Sequence, residues 1–170
     1  STNSAHALDA NGDGTEDVFW YGIGTTADLL WLGEGSGEFS PAPISVTGEY
    51  DHVLTGNIDG STGDDQLLYN RSTGSAWLLQ SDGSAATFTK KLLSVGAGRQ
   101  PFLLDTDGDG RQEIFWYGPG SVPDAMWRWS GDGFSAVARS VVGLYVPLVG
   151  DFDGTGRDDI FWYAPGAAAD

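Results

Sequence analysis

The chain of 170 residues carries a net charge of −16, 40% hydrophobic residues and no cysteine. That composition excludes disulfides, thiolate metal sites and cysteine nucleophiles, argues against nucleic acid and anionic membranes as partners, and is too apolar for global disorder. No apolar run approaches the ~18–20 residues that span a bilayer, so no membrane insertion is expected; the start at Ser1, with neither methionine nor a signal-like segment, reads as a processed or excised chain.

Taken in order, the chain repeats one unit. A short apolar strand, Ala7-Leu8, leads into an acidic loop whose Asp9, Asn11, Asp13 and Asp17 occupy positions 1, 3, 5 and 9, and Val18-Phe19-Trp20-Tyr21 follows. A turn over residues 22–26 gives way to a strand around Trp31 that ends at Gly37, and a fourth strand runs from near Phe39 to Val46. The second unit has Val53-Leu54, the loop Asn57, Asp59, Ser61 and Asp65, the run Gln66-Leu67-Leu68-Tyr69, a turn over 70–75, a strand from Trp77 toward Gly83 and a strand from Phe88 to Val95. The third has Phe102-Leu103-Leu104, the loop Asp105, Asp107, Asp109 and Glu113, the run Ile114-Phe115-Trp116-Tyr117, a turn over 118–123, a strand from Trp127 toward Gly133 and a strand from Phe134 to Val142. The fourth begins with Pro147-Leu148-Val149, the loop Asp151, Asp153, Thr155 and Asp159, the run Ile160-Phe161-Trp162-Tyr163 and a turn over 164–166.

Successive loops start 48, 48 and 46 residues apart. Units of ~40–50 residues with four strands each are propeller blades, so the expected fold is all-β, a β-propeller-like array of about 3.5 repeats. The expected organisation is a single repeat domain over 1–170, with blades at about 5–50, 51–98 and 99–144 and a half blade at 145–170. Closed propellers need at least about four blades, so the chain is expected to be a fragment of a longer propeller, with pairing of its open edges to another copy as the alternative. The apolar runs after the loops are expected to be buried on both faces.

Oxygen ligands on alternate residues of a glycine-permitted turn suit a Ca2+ ion with six to eight ligands. An EF-hand is excluded, because loop position 12 holds Trp20, Leu68, Trp116 or Trp162 instead of a bidentate acid and strand formers follow. Acidic turns closed by their own hydrogen bonds, without metal, are the alternative.

With these loops at this period, the sequence resembles the FG-GAP/VCBS-type repeat family, the integrin-like calcium-binding propellers. The resemblance implies up to four Ca2+ ions, held by Asp9, Asn11, Asp13, Asp17, Asn57, Asp59, Ser61, Asp65, Asp105, Asp107, Asp109, Glu113, Asp151, Asp153, Thr155 and Asp159, with backbone carbonyls from Thr15, Gly63, Arg111 and Arg157. The family's Gly-Ala-Pro tail survives only loosely, as Gly118-Pro119-Gly120 and Ala164-Pro165-Gly166. By carboxylate count the third loop is expected to bind most tightly and the second most weakly. Of the 24 acidic residues, 15 lie in the four loops, so the acidity reads mainly as counter-charge for metal.

His6 and His52 are the only histidines, and Asp51-His52 hints at an oriented base without a recurrent serine beside it, so no catalytic residue is assigned. Trp20, Trp116 and Trp162 recur at one repeat position, and Trp31, Trp77 and Trp127 at another, as core residues would. Trp129, with Arg128, Tyr50 and Tyr145, forms the candidate ligand-contact set. The expected function is a non-catalytic, secreted or cell-surface module for recognition or adhesion, with a glycan or extracellular protein as partner. The alternatives are an accessory module of a secreted hydrolase or a self-assembling repeat protein. The extracellular address follows from calcium use, since millimolar calcium suits modest-affinity modules.

Overall fold

The computed structural model describes residues 3–84 and 87–166; the end of the expected half blade, 167–170, lies outside the described residues. The chain divides into two compact units, and the division falls between Ala97 and Gly98, where the second and third repeats meet. The first unit holds β1 (Asn3–Leu8), β2 (Asp17–Gly22), β3 (Leu29–Gly33) and β4 (Phe39–Ala42) in one antiparallel sheet of that order, and β5 (His52–Gly56), β6 (Asp65–Tyr69), β7 (Ser75–Ser81) and β8 (Phe88–Ser94) in a second. The second unit holds β9 (Gln100–Leu104), β10 (Glu113–Tyr117), β11 (Asp124–Trp129) and β12 (Phe134–Arg139) in a third sheet, and β13 (Val146–Gly150) paired with β14 (Asp159–Tyr163). The architecture is all-β; no helix of the described residues is long and apolar enough to cross a membrane.

Glycine and short polar residues close the loops, and the apolar runs behind them build the core. β6 and β10 are buried along their whole length, as expected for strands covered on both faces. In the first unit Leu8, Phe19, Tyr21, Leu30, Tyr50, Leu68 and Leu79 form one cluster; in the second, Phe102, Leu104, Phe115 and Tyr117 pack with Met126, Val149 and Trp162 around them. β14 departs from the expectation: Phe161 is 48% and Tyr163 44% exposed, because among the described residues β14 pairs with β13 alone.

The strand register corrects the reading of the tryptophans. Trp31 lies opposite Val18 and Trp127 opposite Ile114, but Trp77 lies opposite Leu68, and Leu79 stands opposite Gln66. Trp77 is therefore displaced by two residues, which keeps it on the same face of the strand. Volume explains the shift. In the first and third repeats Trp20 and Trp116 meet Trp31 and Trp127 edge-on at 5.4 and 5.5 Å. The second repeat has Leu68 where those tryptophans stand, and Trp77 sits directly across from it. Core duty is also unequal, since Trp116 is fully buried whereas Trp31 is 38% exposed.

Strand four is shorter than expected, ending at Ala42, Ser94 and Arg139 instead of Val46, Val95 and Val142. In two repeats a carboxylate takes over beyond it. Asp28 accepts the N–H of Gly22 (2.9 Å) and of Val46 (2.7 Å), and Asp124 accepts those of Gly118 (2.6 Å) and Val141 (2.6 Å). Each ties the turn after strand two to the segment after strand four, so that backbone leaves the ladder.

A tyrosine at the end of strand two makes a second tie. Tyr21 donates to Gly48 O (3.3 Å) and accepts from Tyr50 N (2.8 Å); Tyr117 donates to Gly143 O (3.0 Å) and accepts from Tyr145 N (2.8 Å). Tyr69 donates to Gly96 O at 2.8 Å. Removing such a hydroxyl strands a backbone donor and acceptor, a loss of about 1–3 kcal/mol. Tyr21→Phe and Tyr117→Phe should each lower the urea midpoint accordingly with an unchanged slope; midpoints equal to the parent would show that the hydroxyls contribute nothing.

Candidate functional site

Each acidic loop is first a hydrogen-bonded turn. The position 1 carboxylate folds back on later N–H groups: Asp9 accepts from Asp13 (3.1 Å) and Gly14 (2.9 Å), Asp105 from Gly108 (2.7 Å) and Gly110 (2.9 Å), and Asp151 from Gly154 (2.7 Å) and Gly156 (2.8 Å). Position 3 accepts from the N–H of position 5 in every loop, through Asn11, Asp59, Asp107 and Asp153. These local bonds hold the exposed carboxylates in their charged form. The Asn11 amide lowers Asp13, the Arg111 side chain lowers Asp109, and the Gly156 N–H lowers Asp151, each below the usual aspartate value.

Position 9 plays a different part. Asp17, Asp65 and Glu113 are buried, and each accepts the N–H of loop position 2, from Ala10 (2.9 Å), Ile58 (3.0 Å) and Thr106 (2.9 Å). Asp159 does the same for Phe152 at 3.2 Å. The second oxygen of Asp17 and of Asp65 accepts from strand three, from Gly33 N (2.8 Å) and Ser81 N (3.0 Å). Burial raises the Asp17 carboxyl, and it raises Asp65 to about 6 with the Asp59 charge assisting.

The loops also grip one another within each unit through position 8, a role that the alternating ligand pattern does not announce. Asp64 accepts from Asp9 N (3.0 Å) while its own N–H donates to Asp9 O (2.7 Å), and Asp158 repeats this with Asp105 at 2.8 and 2.7 Å. The signal was the doublets Asp64-Asp65 and Asp158-Asp159, against Glu16 and Gln112 at the same place in the other loops. Gly63, at φ 94°, could not carry a side chain here: a Cβ would lie 2.8 Å from Ser81 Oγ and 3.0 Å from Ala10 O.

The donor chemistry fits a hard cation unevenly. One oxygen each of Asp151, Asp153 and Asp159 lies within 4.8 Å of the others, and so do oxygens of Asp105, Asp107 and Asp109. Glu113 is not in the latter set. In the second loop Asn57 accepts from Gly60 N (2.8 Å), Ser61 donates to Ser81 O (2.7 Å), and Asp59 accepts from the Gln80 amide (2.6 Å), so its polar groups are already paired.

The candidate ligand contacts divide between the two units, Tyr50 in the first and Arg128, Trp129 and Tyr145 in the second. Trp129 is half-buried edge-on to Phe134 at 5.1 Å. Tyr50 is 6% exposed and belongs to the first unit's core, with its hydroxyl on Thr47 O (2.9 Å), and Tyr145 packs against Trp162 at 6.1 Å. Arg128 turns toward the third loop, 3.0 Å from Asp107 and 3.1 Å from Glu113.

A groove of about 420 Å³ in the first unit holds Tyr50 of the candidate set together with residues that the set left out: Ser4 and His6 from β1, His52 from β5, Asp51 before it, and Tyr21. Ser4 Oγ and His6 Nε2 are hydrogen-bonded at 2.8 Å, His52 stacks on Tyr69 at 5.9 Å, and Asp51 Oδ1 lies 4.0 Å from His52 Nε2. The sequence signal was spacing. His6 and His52 are 46 residues apart, two short of the 48-residue period between the first two loops, and a shift of two returns a strand residue to the same face.

Burial lowers both imidazoles below the ordinary 6.5. A base with a depressed folded-state value contributes stability that is present above about pH 6.5 and lost as pH falls through the folded value. Imidazole NMR titrations should therefore give midpoints below 6.5 for both histidines, and His6→Gln/His52→Gln should flatten the acid side of the stability profile. Midpoints at or above 6.5 would contradict the buried, neutral assignment.

Residues 105–162 match the FG-GAP-like repeat model. No curated protein matches the chain. Among solved structures, an Agrocybe aegerita lectin, described as specifically recognising non-reducing terminal N-acetylglucosamine, superimposes with a TM-score of 0.73 at 19% identity, over 95% of this chain and 47% of the lectin. The chain thus spans about half the length of that lectin, and the likeness establishes a shared fold. The repeat match runs from the third acidic loop through the aromatic strand of the fourth repeat, so this stretch is similar to the FG-GAP-like repeat.

Proposed function

We propose that this chain is a non-catalytic, calcium-stabilised carbohydrate-recognition module that acts at the cell surface or after secretion. The observation that carries the reading is the groove between β1 and β5, where tyrosine rings lie beside one carboxylate, one hydroxyl and two imidazoles. The tyrosines form a buried floor, the half-buried imidazoles offer ring faces above it, and closely set acceptors and donors sort the hydroxyls of a sugar. Neutral histidines serve this better than charged ones, because each offers a donor and an acceptor. The ligand class draws support from the lectin of similar fold, whose described ligand is a terminal N-acetylglucosamine.

Calcium enters as a structural ion. What supports it is the convergence of three carboxylates in the fourth loop and the oxygen-bearing side chains Asp9, Asn11 and Asp13 of the first. A bound ion would offset their mutual repulsion and stiffen the turn between two strands, and millimolar calcium outside cells would keep such sites filled. A second reading, self-association, rests on β14, which among the described residues pairs with β13 alone and exposes Phe161 and Tyr163.

A glycan screen with N-acetylglucosamine-terminated probes should give binding that Asp51→Ala and His52→Ala each weaken at least about tenfold, the scale of one lost charge-assisted hydrogen bond. Trp129→Ala should leave it unchanged. Binding that survives both groove variants and disappears with Trp129→Ala would move the site to β11; a strictly monomeric chain with no glycan bound would overturn both readings.

A further inference from the structure

We propose that Arg128 is a built-in cation for the third acidic loop and keeps that loop from taking calcium, although it carries the most carboxylates. The inference rests on the calcium reading of the other loops. Arg128 rises from β11, and its guanidinium reaches three groups of the loop: Nη1 to Asp107 Oδ2 at 3.0 Å, Nε to Glu113 Oε1 at 3.1 Å, and Nη2 to Thr106 Oγ1 at 3.3 Å. The other oxygen of Glu113 is occupied by the N–H and hydroxyl of Thr106. Both oxygens of the position 9 acid are thus committed, as those of Asp17 are in the first loop; what sets the third loop apart is that its position 3 acid is neutralised by a planar donor that cannot lose its proton. Arg111 pairs in addition with the position 5 acid, Asp109, so a second guanidinium opposes the same loop.

The repeat supplies its own comparison. The strand-three residue that faces position 9 is Leu32 in the first repeat, Gln80 in the second and Arg128 in the third, as the ladders from Val18–Trp31, Gln66–Leu79 and Ile114–Trp127 dictate. Gln80 sends its amide to the position 3 carboxylate Asp59 at 2.6 Å, and Arg128 sends its guanidinium to the position 3 carboxylate Asp107. Leu32 has nothing to send. One strand-three position therefore grades the loops: open in the first, amide-filled in the second, arginine-filled in the third. The fourth loop has no strand three among the described residues and stands outside this comparison. The ranking by carboxylate count, with the third loop tightest, is reversed on this account. A guanidinium and a calcium ion cannot occupy the same carboxylates, and an attached charge needs no binding entropy.

The test is calcium titration by calorimetry of the parent chain, Arg128→Leu and Arg128→Gln, with circular dichroism as the folding check. Each folded variant should bind one more calcium ion than the parent, or bind its weakest ion at least tenfold more tightly, and should gain more in melting temperature from calcium than the parent does. A variant that folds only in calcium supports the same conclusion. Equal stoichiometry and affinity in folded variants overturns the inference, and if the parent binds calcium in that case the calcium reading survives alone. A parent that binds none beside a variant that binds one leaves the inference standing and removes calcium from the native loops. The parent also gives a reading that needs no substitution. The Arg128 Nε–H NMR resonance should stay in place while calcium saturates the chain, and its movement to the free-arginine position would overturn the proposal.

Discussion

A buried carboxylate at loop position 9 is the constraint on which each of the first three repeats depends. Taking such a charge out of water costs several kcal/mol unless its lone pairs are filled. Asp17 and Asp65 meet that demand with one backbone N–H from the loop and one from strand three, and so pin three segments at one point. Glu113 has one more methylene and reaches the Arg128 side chain in place of the strand-three backbone. The aromatic run that follows is then held in register, and its side chains close the core behind the acid.

From that point outward the repeat is tied by polar groups placed where strand pairing stops. Asp28 and Asp124 hold the turn after strand two against the end of strand four; Tyr21, Tyr69 and Tyr117 hold the next linker; Asp64 and Asp158 hold the preceding loop. A sheet of four short strands has little ladder of its own, and these ties make the connections part of the structure. The exposed carboxylates at positions 1, 3 and 5 are left over from this work, and the loops differ chiefly in what neutralises them.

Much of this was legible in the sequence, for physical reasons. A period of 46–48 residues, an acid pattern on alternate positions and a four-residue apolar run are local signals, and they located the loops and the flanking strands. What escaped was whatever depends on register across strands. Trp77 looked equivalent to Trp31 and Trp127 by distance to the next glycine, yet the ladder displaces it by two residues to fill the space beside Leu68. Tyr50 looked like a pre-loop surface residue, but Tyr21 captures its N–H and its ring enters the core. Position 9 read as one more ligand in the alternation, because a sequence does not show that its oxygens face inward. Arg128 drew notice as a charge beside Trp129; that it points to Asp107 and Glu113 follows only from the Ile114–Trp127 pairing.

The central proposal is that the carboxylates at positions 1, 3 and 5, which already accept backbone N–H groups within their own turns, are structural metal sites, so that the fold is linked to calcium. Thermal unfolding of the chain in millimolar calcium and again in excess EGTA tests it most directly. Two filled sites at a hundred times their dissociation constants would add roughly 5 kcal/mol, a fall in melting temperature on the order of 10 °C when the ion is removed. An unchanged melt would mean that the hydrogen-bonded turns stand complete without metal, and the acidic loops would have to be explained as turns alone.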